Sequence, residues 1–352
     1  MSFWILAINP GSTSTKLAIY DGDSQFASET LRHDPSGLAS AVADQLDQRT
    51  DLIKQWLDAS PVADKINAVV GRGGLLKPIS SGTYAVNDAM IEDLHRGVQG
   101  EHASNLGGLI AHKLAEPLGV PAYIVDPVAV DEFIPEARVS GIPEISRRSL
   151  SHALNIKAVA HRAARDLGQQ LADINMIVVH LGGGISVAPL RGGRMVDVNN
   201  ANEGGPFSPE RTGGLPVGDV VKMAYSGRYT EKELLSVFTR KGGLLAYLGT
   251  NDGQEIASRI ADGDEQADLV FRAMAYQVAK EVGAMAAVLC GKVRAVVLTG
   301  GLAHSELLTG WIKDRVRFVA PVLVFPGEDE MQALAEGALR VLTGAEKPQE
   351  YN

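Results

Sequence analysis

The chain has 352 residues with a formal net charge of −9, 45% hydrophobic and 21% charged side chains, 5% aromatics and 38 glycines. That length suits two domains better than one core, and many glycines with few aromatics favour an α/β architecture with tight strand–helix turns. The acidic balance disfavours partners such as DNA or RNA, and the single cysteine, Cys290, forbids an internal disulfide and fits a reducing cytoplasm.

The N-terminus lacks the basic region of a signal peptide, and no apolar stretch approaches the ~20 residues of a membrane helix. Residues 3–9 read as a buried strand, 10–15 as a Gly/Ser/Thr turn and 16–20 as a second strand closed by Asp21-Gly22, so the chain opens on a β-hairpin. An amphipathic helix is expected over 36–58, a strand over 66–70 ending at Gly71-Arg72-Gly73-Gly74, helices over 88–96 and 103–118, and a strand over 121–125 ending at Asp126-Pro127. A loop-rich stretch runs to about 148, followed by a helix over 151–172.

The opening then recurs. Residues 176–180 form an apolar strand, 181–185 a glycine turn and 186–190 a second strand. Laying Ile5–Gly22 on Met176–Gly193 sets Gly11 on Gly182. The reading is two domains built on one plan, with chance similarity of two short hairpins as the alternative. Farther on come a long helical pattern over 264–290, where Cys290 reads as a small buried hydrophobe, a strand over 294–299 running into Gly300-Gly301, a strand over 322–325 and a last helix over 328–342. The polar tail 343–352 is expected to fray.

The segment from Asn9 to Lys16 gathers backbone N–H groups, several hydroxyls (Ser12 and Ser14 among them), an amide and an ammonium around one turn, a nest suited to phosphate oxygens. Gly-x-x-x-x-Gly-Lys-Ser/Thr is absent, so this is not a Walker A loop, and a plain Ser/Thr-rich hairpin turn is the alternative. His180 precedes Gly182-Gly183-Gly184, glycines that let a ligand come close to the backbone. Gly300-Gly301 is a third such loop. Arg72 and Arg211 sit at glycine-rich junctions where a guanidinium can clamp a carboxylate or phosphate, or simply be a solvated charge. His102 and His152 are site candidates or helix-start residues, and Asp126 is a Mg²⁺-holding or positioning carboxylate or a cap before Pro127. The eight histidines show no metal-ligand spacing, and no Gly-x-Ser-x-Gly hydrolase elbow is present.

Asn9–Lys16, His180–Ser186 and Leu298–Gly301 together resemble the signatures of the acetate and butyrate kinases. Val70–Leu76, Glu101–Gly107 and Gly327–Met331 are similar to the butyrate branch, which includes branched-chain fatty acid kinases. The resemblance spans nearly the whole chain. It implies an actin-like fold of the sugar kinase/Hsp70/actin superfamily: duplicated domains around a central cleft, here 1–150, joined by the C-terminal helix at about 328–352, and 151–327. It implies reversible transfer between ATP and a short-chain carboxylate to give an acyl phosphate and ADP, with Mg²⁺, in a homodimer or higher homo-oligomer. Butyrate is the first substrate expected, with acetate, propionate or isobutyrate as alternatives.

By the same resemblance, Asn9, Ser12, Ser14 and Lys16 match the family's first phosphate loop. Arg72 and Arg211 match its arginines at the transferred phosphoryl and the carboxylate, and His102, His152 and His180 its site histidines. Asp126 matches its catalytic aspartate, Asp252 its nucleotide-side aspartate and Glu330 its metal-linked glutamate. The chain departs from acetate kinases in carrying Gly183 where they have Asn, and Gly301-Leu302-Ala303-His304-Ser305 where they have Gly-Ile-Gly-Glu-Asn. The rival readings are a sugar kinase or phosphatase of the superfamily, against which the two Arg sites favour an anionic substrate, and a non-catalytic nucleotide-binding regulator.

Overall fold

The computed structural model describes residues 2–34, 39 and 41–352. Two compact units emerge: Met1–Asp131 with Asp329–Asn352, and Glu132–Glu328.

In the first unit, β1 (Trp4–Pro10), β2 (Ser14–Asp21) and β3 (Ser24–Arg32) form an antiparallel meander. β4 (Ile66–Arg72) and β6 (Ala122–Val125) add in parallel beside β1, and β5 (Thr83–Ala85) closes the edge antiparallel to β6. The sheet order is β3-β2-β1-β4-β6-β5. The central strands are continuous apolar runs, as expected where both faces of a sheet are covered: Ile5 to Ile8 and Ala68 to Val70 are fully buried. The helix Leu46–Asp58 presents Ile53 and Leu57, one turn apart, to the core that contains Leu6, Ile8, Leu106 and Ile110.

In the second unit, β7 (Asn175–Leu181), β8 (Ile185–Arg191) and β9 (Arg194–Met195) repeat the meander, and β10 (Ala295–Gly300) and β11 (Val322–Pro326) add in parallel beside β7. The order β11-β10-β7-β8-β9 is that of the first sheet without its β5 edge. Pro10 pairs with Thr15 in the first hairpin, and Leu181 with Ile185 in the second. The second turn is therefore one residue shorter. The helix Glu265–Val288 buries Phe271, Met274, Val278 and Val282 against this sheet's apolar face. Among the described residues, no helix is long and apolar enough to cross a membrane.

Several expectations shift. The division falls at Asp131/Glu132, not at 150, because the intervening segment bonds into the second unit. Buried Lys157 Nζ meets Glu132 Oε2 at 2.6 Å, Ile134 N–H donates to Val196 O at 3.1 Å, and Arg147 pairs with Asp197 at 2.9 Å. The other end of the division leaves Glu328 in the second unit. The helix expected over 36–58 is a 3₁₀ turn at Ala43–Gln45 and an α-helix at Leu46–Asp58, while 36–38 and 40 lie outside the described residues. The tail does not fray. Gln349 pairs with Tyr84, and the Tyr351 ring is buried, its hydroxyl donating to Asp93 Oδ2 at 2.8 Å and accepting from Lys77 N–H at 3.2 Å. Cys290 is exposed, because the long helix stops at Val288 and Cys290 takes φ +53° in the turn after it.

Candidate active site

In the first unit, three candidates end adjacent parallel strands: Asn9 near the end of β1, Arg72 at the end of β4, and Asp126 just past β6. Crevices at the carboxyl ends of such strands are where α/β folds bind ligands. Glu330, at the start of the helix Glu330–Leu342, joins two of them. Asn9 Nδ2 donates to its Oε2 at 2.6 Å, and Arg72 Nη1 approaches Oε1 at 2.9 Å and Oε2 at 3.0 Å.

Arg72 is held from behind by glycine contacts. A Cβ on Gly71 would sit 2.0 Å from Gly107 O, and one on Gly74 2.6 Å from Asn105 Cα. The helix Asn105–Leu118 thus lies directly on β4, and Asn105 Oδ1 accepts from Leu75 N–H at 2.9 Å. The glycine-rich junction and the Glu101–Gly107 segment are two sides of one contact. Just before that helix, His102 Nδ1 accepts from Ser104 N–H at 3.2 Å. Partial burial, and then the Arg72 charge, hold its imidazole below the usual histidine value. Asp126 is buried and left-handed at φ +38°, a conformation Asp tolerates better than most residues and one found often at working sites. Its Oδ1 accepts from Ser81 Oγ at 2.6 Å and Gly82 N–H at 2.8 Å.

In the second unit, His180 near the end of β7 stands beside Thr299 of β10. Its Nδ1 lies 2.8 Å from Asn155 Oδ1. Its ring stacks on His152 with centroids 3.8 Å apart, and His152 Nδ1 lies 3.0 Å from Ser186 Oγ. His180 Nε2 is a buried nitrogen without a hydrogen-bond partner among the described residues; Glu328 Oε1 is 3.1 Å away, but outside hydrogen-bond geometry.

The three glycines of the turn differ in what they permit. A Cβ on Gly182 would meet His180 Nε2 at 2.8 Å and Glu328 Oε1 at 2.9 Å; one on Gly184 would meet Arg211 Cζ and Nη1 at 2.5 Å; one on Gly183 would meet only Glu210 Oε2, at 3.8 Å. The Arg211 guanidinium therefore lies against Gly184, and burial lowers its already high pKa. Ser208 Oγ ties the two segments together, donating to Gly183 O at 2.6 Å and accepting from Arg211 N–H at 3.2 Å.

The structure gathers Asn9, Arg72 and Glu330 in one unit, and His152, His180, Gly182, Gly184 and Arg211 in the other. Ser12 and Lys16 are exposed on the first turn and β2, with Lys16 opposite Asn9. Gly300, at φ +92°, packs on the Leu181 backbone, where a Cβ would sit 2.4 Å from its oxygen; Gly301 faces open space. Asp252 caps the helix Gly253–Ala261, accepting from Gln254 N–H at 2.8 Å and Glu255 N–H at 3.3 Å. Gly253 abuts Leu302, next to the third glycine loop. No group of three or more His, Cys, Asp or Glu with metal-site geometry occurs among the described residues. Asp126 and Glu330 each offer a carboxylate, the kind of ligand of which Mg²⁺ takes one or two before completing its shell with phosphate oxygens and water. Sequence reasoning missed Arg49, Asn155 and Ser186. Asn155, one helical turn beyond His152, carried a usable signal; Arg49 lies in the expected amphipathic helix, where nothing local singles it out.

The acetokinase family profile matches residues 144–308. The chain is similar to a protein named probable butyrate kinase 2 from Caldanaerobacter subterraneus subsp. tengcongensis, 55% identical over 99% of both chains. It is likewise similar to butyrate kinase 2 of Clostridium acetobutylicum, 53% identical over 100% of both. Among solved structures it resembles Porphyromonas gingivalis acetate kinase, with a TM-score of 0.78 and 19% identity over 96% of this chain and 99% of that one. That likeness carries the fold: the actin-like architecture, with its two sheets of shared strand order.

Proposed function

Because the chain belongs to the acetokinase family, we propose that it is an ATP-dependent carboxylate kinase that reversibly converts butyrate and ATP to butyryl phosphate and ADP. The full-length identity of 55% and 53% to two butyrate kinases carries this reading. A carboxylate oxygen of the acid attacks the γ-phosphorus of ATP. The bond from that phosphorus to the β–γ bridging oxygen breaks, and ADP leaves with the oxygen. The attacking group is already ionised at neutral pH, so no strong general base is required. The work left to the protein is positioning and charge stabilisation.

Arg72 and Arg211 fill that role, binding the acid and the equatorial oxygens of the moving group. Arg72 comes pre-oriented by Glu330, and Arg211 by its seat on Gly184. The orphaned Nε2 of His180 is a buried polar atom that calls for a partner, and a phosphoryl oxygen supplies one when the ring carries a proton there. His152 and Asn155 fix that ring in place, while His102 flanks the acid. Asn9, Ser12, Ser14 and Lys16 hold phosphate at the first turn; Gly182–Gly184, Gly300, Gly301 and Asp252 serve the nucleotide. Asp126 and Glu330 would hold Mg²⁺, whose contribution is to neutralise charge on the ATP phosphates.

A cytoplasmic homodimer or higher homo-oligomer belongs to the same proposal. Exposed Val217, Val221, Tyr225 and Leu235 support it, and light scattering on the purified protein tests it. Incubation with Mg-ATP, hydroxylamine and acids of two to five carbons tests the activity. Hydroxamate from none of them sinks the kinase reading, and a kcat/KM series that peaks at another acid moves the substrate away from butyrate.

A further inference from the structure

The Arg49 side chain is fully buried, in the first turn of the helix Leu46–Asp58. A buried guanidinium is costly unless it is paired, yet each hydrogen-bond acceptor it meets among the described residues is neutral. Nε and Nη2 donate to Gln45 Oε1 at 3.1 and 2.8 Å, Nη1 to Gly11 O at 2.8 Å and Thr15 Oγ1 at 3.2 Å, and Nη2 to Ser12 O at 3.1 Å. The remaining carbonyls of the first turn also face inward: Thr13 O accepts from His33 N–H at 2.8 Å, and Ser14 O from Gly11 N–H at 2.7 Å. Ser12 and Thr13 keep exposed hydroxyls, and their N–H groups meet no acceptor among the described residues.

A phosphoryl group offers acceptors alone, so a turn that binds it must point its carbonyls away. We propose that Arg49 is the positioning residue of this turn: it draws the Gly11 and Ser12 carbonyls inward, leaves the donors of Ser12 and Thr13 facing out, and backs them with a buried positive charge whose counter-ion is a bound phosphoryl group. The proposal rests on the kinase reading above and adds to it a residue that touches neither substrate.

Two variants separate charge from architecture. Arg49→Lys keeps the charge but loses the fork that holds two carbonyls at once. Gln45→Glu keeps Arg49 in place and sets a carboxylate on it, losing the bond that Gln45 Nε2 gives Ala39 O. Calorimetric titration with ATP and with adenosine is the readout, alongside kcat/KM and the melting temperature. Both variants are expected to bind ATP about tenfold more weakly and adenosine within about twofold of the parent. Unchanged ATP affinity in Gln45→Glu overturns the role of the charge, and an equal loss of ATP and adenosine reduces Arg49 to a core residue, as does failure of both variants to fold. A parent protein that makes no hydroxamate sinks the kinase reading itself, whereas variants matching an active parent sink the role of Arg49 alone.

Discussion

Replacing Gly184 with Ala separates catalysis from stability. The added methyl would lie 2.5 Å from Arg211 Cζ and Nη1 and 3.0 Å from Nε, against ordinary carbon contacts of about 3.5–4.0 Å. The guanidinium must therefore retreat by about 1 Å. Because it is the far end of a flexible side chain, the fold accommodates this at small cost, under about 1 kcal/mol against the roughly 1–3 kcal/mol of overpacking a rigid core. Catalysis does not share that tolerance: a misplacement of about 1 Å costs on the order of 100-fold in rate. Gly183→Ala is the control, since its methyl would meet only Glu210 Oε2 at 3.8 Å. We expect Gly184→Ala to lose about 30–100-fold in kcat/KM for the acid with a melting temperature within about 3 °C of the parent, and Gly183→Ala to stay within about threefold in kcat/KM. Hydroxamate kinetics and circular dichroism measure both. If Gly184→Ala keeps the kcat/KM of the parent, Arg211 does not need its seat; if Gly183→Ala falls as far, the steric argument is wrong.

Asp252→Ala removes the cap of the helix Gly253–Ala261 and is expected to cost about 1 kcal/mol in urea unfolding, while Asp252→Asn, which can still cap, costs under about 0.5 kcal/mol; equal losses would deny the cap its role. Tyr351→Phe deletes the hydroxyl between Asp93 and Lys77 N–H, whose pKa burial and the Asp93 hydrogen bond push up to about 12. It should destabilise by about 1–2 kcal/mol with kcat unchanged, and a neutral result in urea would return the tail to the surface. Burial, then the Arg49 charge, lowers the pKa of His33, so the unfolded chain takes up a proton more readily than the folded one. Stability should then fall as pH drops below about 6.5, and His33→Gln should flatten that slope in urea titrations at pH 5–7; an unchanged slope assigns it to other groups.

The repeated hairpins were legible because an apolar strand, a glycine turn and a second apolar strand form a local pattern. The shared order of the two sheets was not, since pairing β1 with β4, or β7 with β10, depends on contacts far apart in sequence. Short or polar strands left no usable signal: β3 runs largely exposed and β9 spans two residues. The boundary near 150 was misplaced because it followed a loop-rich composition, whereas the segment's allegiance is set by Glu132 and Arg147 pairing with residues far along the chain. Composition also misled at the C-terminus, where the polar tail carries one aromatic ring into the core. In the candidate site, residues at glycine junctions could be found by eye. Those that hold the junctions, Arg49 and Asn155, sit inside helices where their residue types look ordinary.

The duplication also constrains what each unit can do. Asn9 and His180 occupy matching places, one residue before the last of β1 and of β7, each opposite the strand that leaves the turn. Each also meets a glutamate: Glu330 at 2.6 Å from Asn9, and Glu328 at 3.1 Å from His180. The chemistry at the two places has diverged. An amide never changes charge, and Asn9 stands beside Arg72, whose guanidinium is paired with Glu330. The imidazole of His180 is instead held in ordered surroundings, with Asn155 beside one ring nitrogen and His152 stacked on its face.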